Sequence, residues 1–197
     1  GLSGGVDSAL VATVAADALG PGRVHAVLMP SRHSSEHSVS DAEDLVSRQG
    51  LDDLTLPIEE VHQAVSGVLA NAPEGEPVGL TDENLQSRIR GGLLMARANA
   101  NGWLVLSTGN KSESAVGYTT LYGDTAGAFA VIKDVTKTRV YELCRWRNAQ
   151  SPGADGRPVV PEAILDKPPS AELRPDQRDD QSLPPYAVLD PVLEAYI

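Results

Sequence analysis

Cysteine occurs once in this chain, at Cys144, so no internal disulfide can form and no cysteine cluster can hold zinc. A reducing compartment is the simple reading, and the chain is expected to be cytoplasmic. No apolar run approaches the roughly 18 residues of a membrane span, and the N-terminus lacks the basic stretch of a secretory signal. Positive charge is scarce as well. Sixteen Lys and Arg against 27 Asp and Glu leave a net charge of −11, which argues against a nucleic-acid surface while allowing a local pocket for one nucleotide. No Gly-Lys dipeptide occurs, which excludes a Walker A loop and γ-phosphate transfer by that route. Internal repeats are absent too. What is present, 197 residues with 41% hydrophobic content, suits a single domain with a sizeable core.

Along the chain, helical and strand-like segments alternate. ALVATVAADALG follows the opening loop as a helix and ends on Gly20, a natural left-handed cap. VHAVLM, Val24 to Met29, reads as a buried strand. Ser40 and Glu43 form a capping box for a helix that Gly50 closes. Leu54 to Leu56 is a second strand, and Ile58 to Leu69 is helical. After the linker NAPEGEPVG, Thr81 caps a long helix to about Asn101, with Gly102 ending it before the strand WLVLS at Trp103 to Ser107. This order predicts an α/β fold with a parallel sheet covered on both faces. Most of the fourteen prolines fall between Ser151 and Pro191, a stretch expected to be a lid or loop, and Val188 to Ile197 is helical.

The chemistry concentrates first in Ser3-Gly4-Gly5-Val6-Asp7-Ser8. Its glycines bare the backbone amides, the following helix contributes partial positive charge, and Asp7 can hold a Mg²⁺ that bridges phosphates. A generic Ser-Gly-Gly is more often a capped turn, but the full six-residue string favours an anion site. His33-Ser34-Ser35-Glu36-His37 fits a zinc-protease pattern, yet it lies in a serine-rich loop after Pro30, ahead of the predicted helix, so both imidazoles are not expected on one face. Cys144, in VYELCRWR, is expected to be core on an amphipathic helix.

SGGVDS resembles the pyrophosphate-binding loop of the ATP pyrophosphatases. ENLQSRIRGGLLMA, STGNKSESAVGYTTLYGDTAG and KPPSAELRP narrow the resemblance to NAD synthetase, in particular the synthetase domain of its glutamine-dependent form. MPSRHSSEHSVSDAEDL, KDVTKTRVYELCRWRN and DQSLPPYAVLD extend it over nearly the whole chain. It implies a three-layer, Rossmann-like domain of the adenine-nucleotide alpha-hydrolase type over residues 1–197, with 151–187 as lid or loop and without the amidase domain. It also implies a strand ahead of Gly1, so the fold is expected to be truncated at its first strand. The implied reaction is amidation of deamido-NAD: ATP adenylates the nicotinate carboxylate, pyrophosphate leaves, and ammonia displaces AMP. In relatives the ammonia comes from glutamine through that amidase domain.

Residue by residue, the resemblance assigns Gly1, Leu2, Ser3, Gly4, Gly5, Val6, Asp7 and Ser8 to the ATP phosphates, with Thr108 and Ser170 as further ATP contacts. Asp7 and Glu113 are the implied Mg²⁺ ligands. Asn84, Arg90, Glu113, Tyr118, Thr119, Thr120 and Leu121 are assigned to deamido-NAD, Arg90 offering a fork suited to carboxylate or phosphate. Asp124 and Lys137 are the implied catalytic residues: the acid binds or deprotonates ammonium, and the lysine, also an ATP contact, neutralises departing pyrophosphate. Taken bare, Asp124 is a turn residue and Lys137 a solvated first-turn lysine. Ammonia-dependent relatives carry a lysine and a second acid where this chain has Leu121 and Ala128, so those two contacts are not transferred. Homo-oligomers are implied. A catalytically inert module that binds nucleotide is the competing reading.

Overall fold

The computed structural model describes residues 1–196. Helix α1 (Val6–Leu19) springs directly from the glycine turn and buries Val6, Ala9, Leu10, Val11 and Ala15. Gly20 ends it at φ 86°, but its ψ of 145° lies outside the left-handed helical region that the sequence suggested. Strand β1 (His25–Leu28), helix α2 (Glu36–Gln49) and strand β2 (Asp52–Thr55) form a parallel βαβ unit, with His25 beside Asp52 and Leu28 beside Thr55. Ala26, Val27 and Leu28 are buried, whereas β2 is exposed throughout and forms the sheet edge. Helices α3 (Glu59–Leu69) and α4 (Leu80–Asn101) follow, and Gly102 closes α4 in the left-handed conformation.

A second parallel pair joins β3 (Leu106–Ser107) to β4 (Phe129–Ala130), with α5 (Lys111–Ala115) between them. The chain ends in α6 (Lys137–Asn148), α7 (Glu162–Asp166) and α8 (Tyr186–Tyr196). The expected single sheet is thus two small ones in the described residues. WLVLS contributes only its last two residues as strand, because beyond the bond from the Ala128 amide to the Val105 carbonyl (2.9 Å) the pairing stops and Leu104 is exposed. Gly1 and Leu2 lie at the mouth of an apolar slot of about 390 Å³ lined by Val24–Val27 and Trp103–Leu106, and the Leu2 amide donates to the Val27 carbonyl (2.9 Å).

Two helix starts differ from expectation. Helix α2 begins before Ser40: Ser35 is its N-cap and accepts from the Ser38 amide (3.1 Å), while the Ser40 hydroxyl turns back onto the His37 carbonyl. For α4 the cap is Gly79, at φ 56°, with Thr81 already inside the first turn. The main core packs α1, α2, α6 and α7 around β1, with Leu45, Val140, Val160 and Ile164 wholly enclosed. Inside it, Gln49 Nε2 donates to the Thr13 hydroxyl (2.8 Å), which donates to the Ala9 carbonyl (2.7 Å). Among the described residues no helix is long and apolar enough to cross a membrane.

Candidate active site

The site gathers where α1 starts and β3 ends. Gly4, at φ 78°, lies so close to α2 that a Cβ would meet the Ser38 carbonyl oxygen at 2.1 Å, so only glycine allows the loop and α2 to approach. Within the loop, Ser3 Oγ accepts from the Gly5 amide (3.2 Å) and Ser8 Oγ donates to the Gly5 carbonyl (3.0 Å). These bonds shape the turn, and because the N-cap Gly5 brings no side chain, the first-turn amides of α1 stay available to an anion.

A cleft of about 290 Å³ opens from this turn. Of the expected site residues, Gly1, Leu2, Ser3, Gly5, Val6, Asp7, Arg90, Thr108, Asp124, Lys137 and Ser170 line it. Gly4, Ser8, Asn84, Glu113, Tyr118, Thr119, Thr120 and Leu121 are not on its wall. Two of these are tied to it: Glu113 through Lys137, and Thr120 through its amide, which donates to Asp124 Oδ1 (2.7 Å). Asn84 sits behind Thr120, accepting its hydroxyl at 2.7 Å. Leu121 is exposed. Ser170 spends its hydroxyl locally, donating to the Gln177 carbonyl (2.5 Å) and accepting from the Glu172 amide (3.1 Å).

The electrostatic centre is Lys137, 3% exposed at the first position of α6. Its ammonium donates to Asp7 Oδ2 at 2.5 Å and to Glu113 Oε1 at 2.9 Å, and it lies 5.4 Å from the Tyr186 ring centroid. Burial alone would lower its pKa, but Asp7 and Glu113 outweigh that and hold it well above the usual lysine value. Two acids against one ammonium leave surplus negative charge, and burial with Asp7 nearby pushes the Glu113 carboxyl up to about 7. A third acid, Asp179, is 4% exposed; burial raises its pKa, with the charge of Lys137 opposing. Its Oδ2 accepts the Tyr186 hydroxyl (2.8 Å), and its Oδ1 is buried without a hydrogen-bond partner among the described residues.

The donor chemistry around Lys137 fits Mg²⁺. Two hard carboxylate oxygens already converge on a single cation, and Mg²⁺ is ordinarily held by one or two carboxylates with phosphates and water completing its shell. No group of three or more acidic, His or Cys residues able to hold a metal by itself occurs among the described residues, His33 and His37 included. Cys144 is fully buried and its thiol is pushed up to about 12 by burial, so it is core rather than a nucleophile.

On the other wall, Arg90 donates from Nε to the Met29 carbonyl (2.9 Å), and burial lowers its guanidinium to about 10. Asp124 is solvent-accessible, yet the surrounding walls desolvate its carboxylate and raise its pKa against three backbone hydrogen bonds. Its placement depends on a tight crossing, because a Cβ on Gly123 would meet Ser87 Oγ at 2.2 Å.

Residues 167–173 cover the cleft, and Gln177 beyond them helps to tie the segment down. Lys167 pairs with Asp41 (2.9 Å), and Glu172, at an unusual φ of 50°, presents its carboxylate to the N-terminus of α2. There it accepts from the Ser35 amide (3.2 Å), the Ser35 hydroxyl (2.9 Å) and the Ser38 hydroxyl (2.6 Å). Gln86 Nε2 donates to the Leu173 carbonyl (2.9 Å), and Gln177 Nε2 to Glu83 (3.1 Å). Sequence reasoning missed Asn110, Glu172, Asp179, Tyr186 and Asp190. Only Asn110 carried a local signal, an Asn three residues before a Glu at a helix start.

A glycine-rich turn at the head of α1, beside the end of a parallel strand, marks an α/β domain of the adenine-nucleotide alpha-hydrolase type. The chain belongs to the NAD synthase family, whose model matches residues 1–197. It is 54% identical to a glutamine-dependent NAD(+) synthetase of Rhodobacter capsulatus, over the whole of this chain and 36% of that protein. It aligns with a glutamine-dependent NAD+ synthetase of Acinetobacter baumannii, solved with adenosine diphosphate, at TM-score 0.80 and 46% identity, over 100% of this chain and 34% of that one. An NMN synthetase of Francisella tularensis aligns at TM-score 0.84 and 29% identity, over 98% of this chain and 75% of that one. The chain thus spans about a third of the length of the glutamine-dependent relatives.

Proposed function

We propose that this chain carries out the synthetase half-reactions: ATP-dependent amidation of deamido-NAD to NAD, with AMP and pyrophosphate released. The observation that carries this reading is the convergence of Asp7, Glu113 and Lys137 beside the SGGVDS turn, two carboxylates and one ammonium, with Asp7 and Lys137 on the wall of the cleft and Glu113 behind Lys137. The turn and the first-turn amides of α1 receive the ATP phosphates, with Thr108 at the strand end and Ser170 on the covering segment as further contacts. Asp7 and Glu113 would hold Mg²⁺, which would supply charge neutralisation of the phosphates.

In the first step a nicotinate carboxylate oxygen attacks the α-phosphorus, and the bond to the bridging oxygen of pyrophosphate breaks. Lys137, released from its carboxylates, meets the negative charge developing on pyrophosphate. In the second step ammonia attacks the acyl carbon and AMP departs, with Asp124 positioned to accept a proton from ammonium. Arg90 supplies a buried positive charge for the dinucleotide substrate, and Asn84, Glu113 and Tyr118 to Leu121 extend that surface. Catalysis of this kind rests on holding two substrates in line and on preorganised charge.

Residues 151–187 act as the lid, which the ties from Lys167, Glu172 and Gln177 support. A second copy of the chain is a partner, supported by apolar side chains exposed on α3 and the start of α4, among them Val68 and Leu80. Ammonia reaches the site free or from a glutamine-hydrolysing amidase, and the reaction is cytoplasmic.

The deciding assay supplies the purified chain with ATP, Mg²⁺, ammonium and either deamido-NAD or nicotinate mononucleotide, and follows pyrophosphate and amidated product. NAD formation from deamido-NAD is the expected result. Amidation of the mononucleotide alone would move the chain toward the NMN synthetase, and nucleotide binding without product would make it an inert module. Asp7→Asn is expected to abolish turnover while the protein stays folded; undiminished activity would remove Asp7 from the metal site.

A further inference from the structure

Asn110 is wholly buried at the joint between β3 and α5, and both ends of its side-chain amide are committed. Oδ1 accepts from the Glu113 amide at 2.9 Å, capping α5; Nδ2 donates to Asp7 Oδ1 at 2.9 Å. The amide cannot be turned around, because a flip would set its oxygen against the Asp7 carboxylate and its NH₂ against the Glu113 N–H. One planar group therefore touches the backbone of one acid and the side chain of the other. Asp7 lies on α1 and Glu113 on α5, 106 positions apart in a chain whose two acids must face one point. With Oδ1 of Asp7 held by Asn110, Oδ2 is left facing the position where Glu113 Oε1 also points.

We propose that Asn110 is a positioning residue that aligns the two acids for cation binding, over and above its role as a helix cap. This inference rests on the metal-binding reading of Asp7 and Glu113. Ser and Thr can accept from the Glu113 amide as helix caps do, but they are too short to carry a donor to Asp7. Asn110→Ser and Asn110→Thr thus keep the cap and lose the alignment, and Asn110→Ala loses both.

The test is binding of Mn²⁺ complexed with α,β-methylene-ATP, followed by calorimetry, beside thermal melts of the same variants. Asn110→Ser and Asn110→Thr are expected to melt above Asn110→Ala, yet all three should bind the complex about 10–100-fold more weakly than the parent chain, the loss typical of removing a partner that orients a metal ligand. Wild-type affinity in Asn110→Ser, or affinity that merely follows melting temperature across the variants, would overturn the proposal. Failure of both cap-competent variants to fold would overturn it as well, by assigning Asn110 to the scaffold alone. Asp7→Asn serves as the control: normal binding there would remove the metal-binding reading itself, whereas weak binding there with normal binding in Asn110→Ser would reject only the role of Asn110.

Discussion

At the scale of single residues, Asp124 offers the sharpest chemical test. Its carboxyl titrates above the ordinary aspartate value of 3.8 because cleft walls desolvate it, which makes the ionised form a better proton acceptor. Such a base matters most where ammonium is fully protonated and least where free ammonia is abundant. Asp124→Asn is therefore expected to depress kcat/KM for ammonium most strongly near neutral pH, with the deficit shrinking as pH rises toward the pKa of ammonium. Parallel pH profiles of the two proteins measure this, and a constant ratio across the range would show that Asp124 accepts no proton. Asp7 stands in a string whose glycines and helix start point to an anion site, whereas Lys137 taken bare reads as a solvated lysine and only the resemblance marked it; the structure buries it between Asp7 and Glu113. Asp179 carried no marker of either kind: its carboxylate is engaged by Tyr186, its neighbourhood is defined by Lys137, and the charged run around it looks like solvated surface when read alone.

At the scale of elements, α8 fixes the orientation of Lys137. Thr136 is the N-cap of α6 but makes no side-chain cap bond. The capping comes from Asp190 on α8, 1% exposed, whose Oδ2 accepts from the Thr138 amide (2.8 Å) and whose Oδ1 accepts from the Ser112 hydroxyl (2.6 Å). That hydroxyl in turn accepts from the Lys137 amide (2.9 Å), so α5, α6 and α8 meet at one buried carboxylate. Asp190→Ala strands these donors and is expected to cost about 1–3 kcal/mol in urea unfolding, with a rise in KM for ATP. Asp190→Asn, which still offers one acceptor oxygen, should cost less. Helix positions were largely readable because periodicity and terminal glycines are local, as at α4 and Gly102. Strand extents were not, because pairing is decided by distant neighbours: WLVLS has the composition of a strand, yet only Leu106 and Ser107 find partners in β4. The start of α2 moved for the same reason, its end being completed by Glu172 from far along the chain.

At the scale of the whole molecule, the cleft is walled by loops from both small sheets and roofed by residues 167–173, so ligand and fold should be strongly linked. ATP with Mg²⁺ at about 100 times its Kd is expected to stabilise the chain by about 2.7 kcal/mol, a rise in Tm of roughly 5–10 °C for a domain of this size. Differential scanning fluorimetry measures it, and Asp7→Asn should show a much smaller rise. Asp190 also sets the order in which the molecule loosens. Through this one carboxylate α8 closes the joint between α5 and α6, the helices that carry Glu113 and Lys137. Release of α8 frees that joint while the core around β1 stays packed, so the charged cluster comes apart before the domain does.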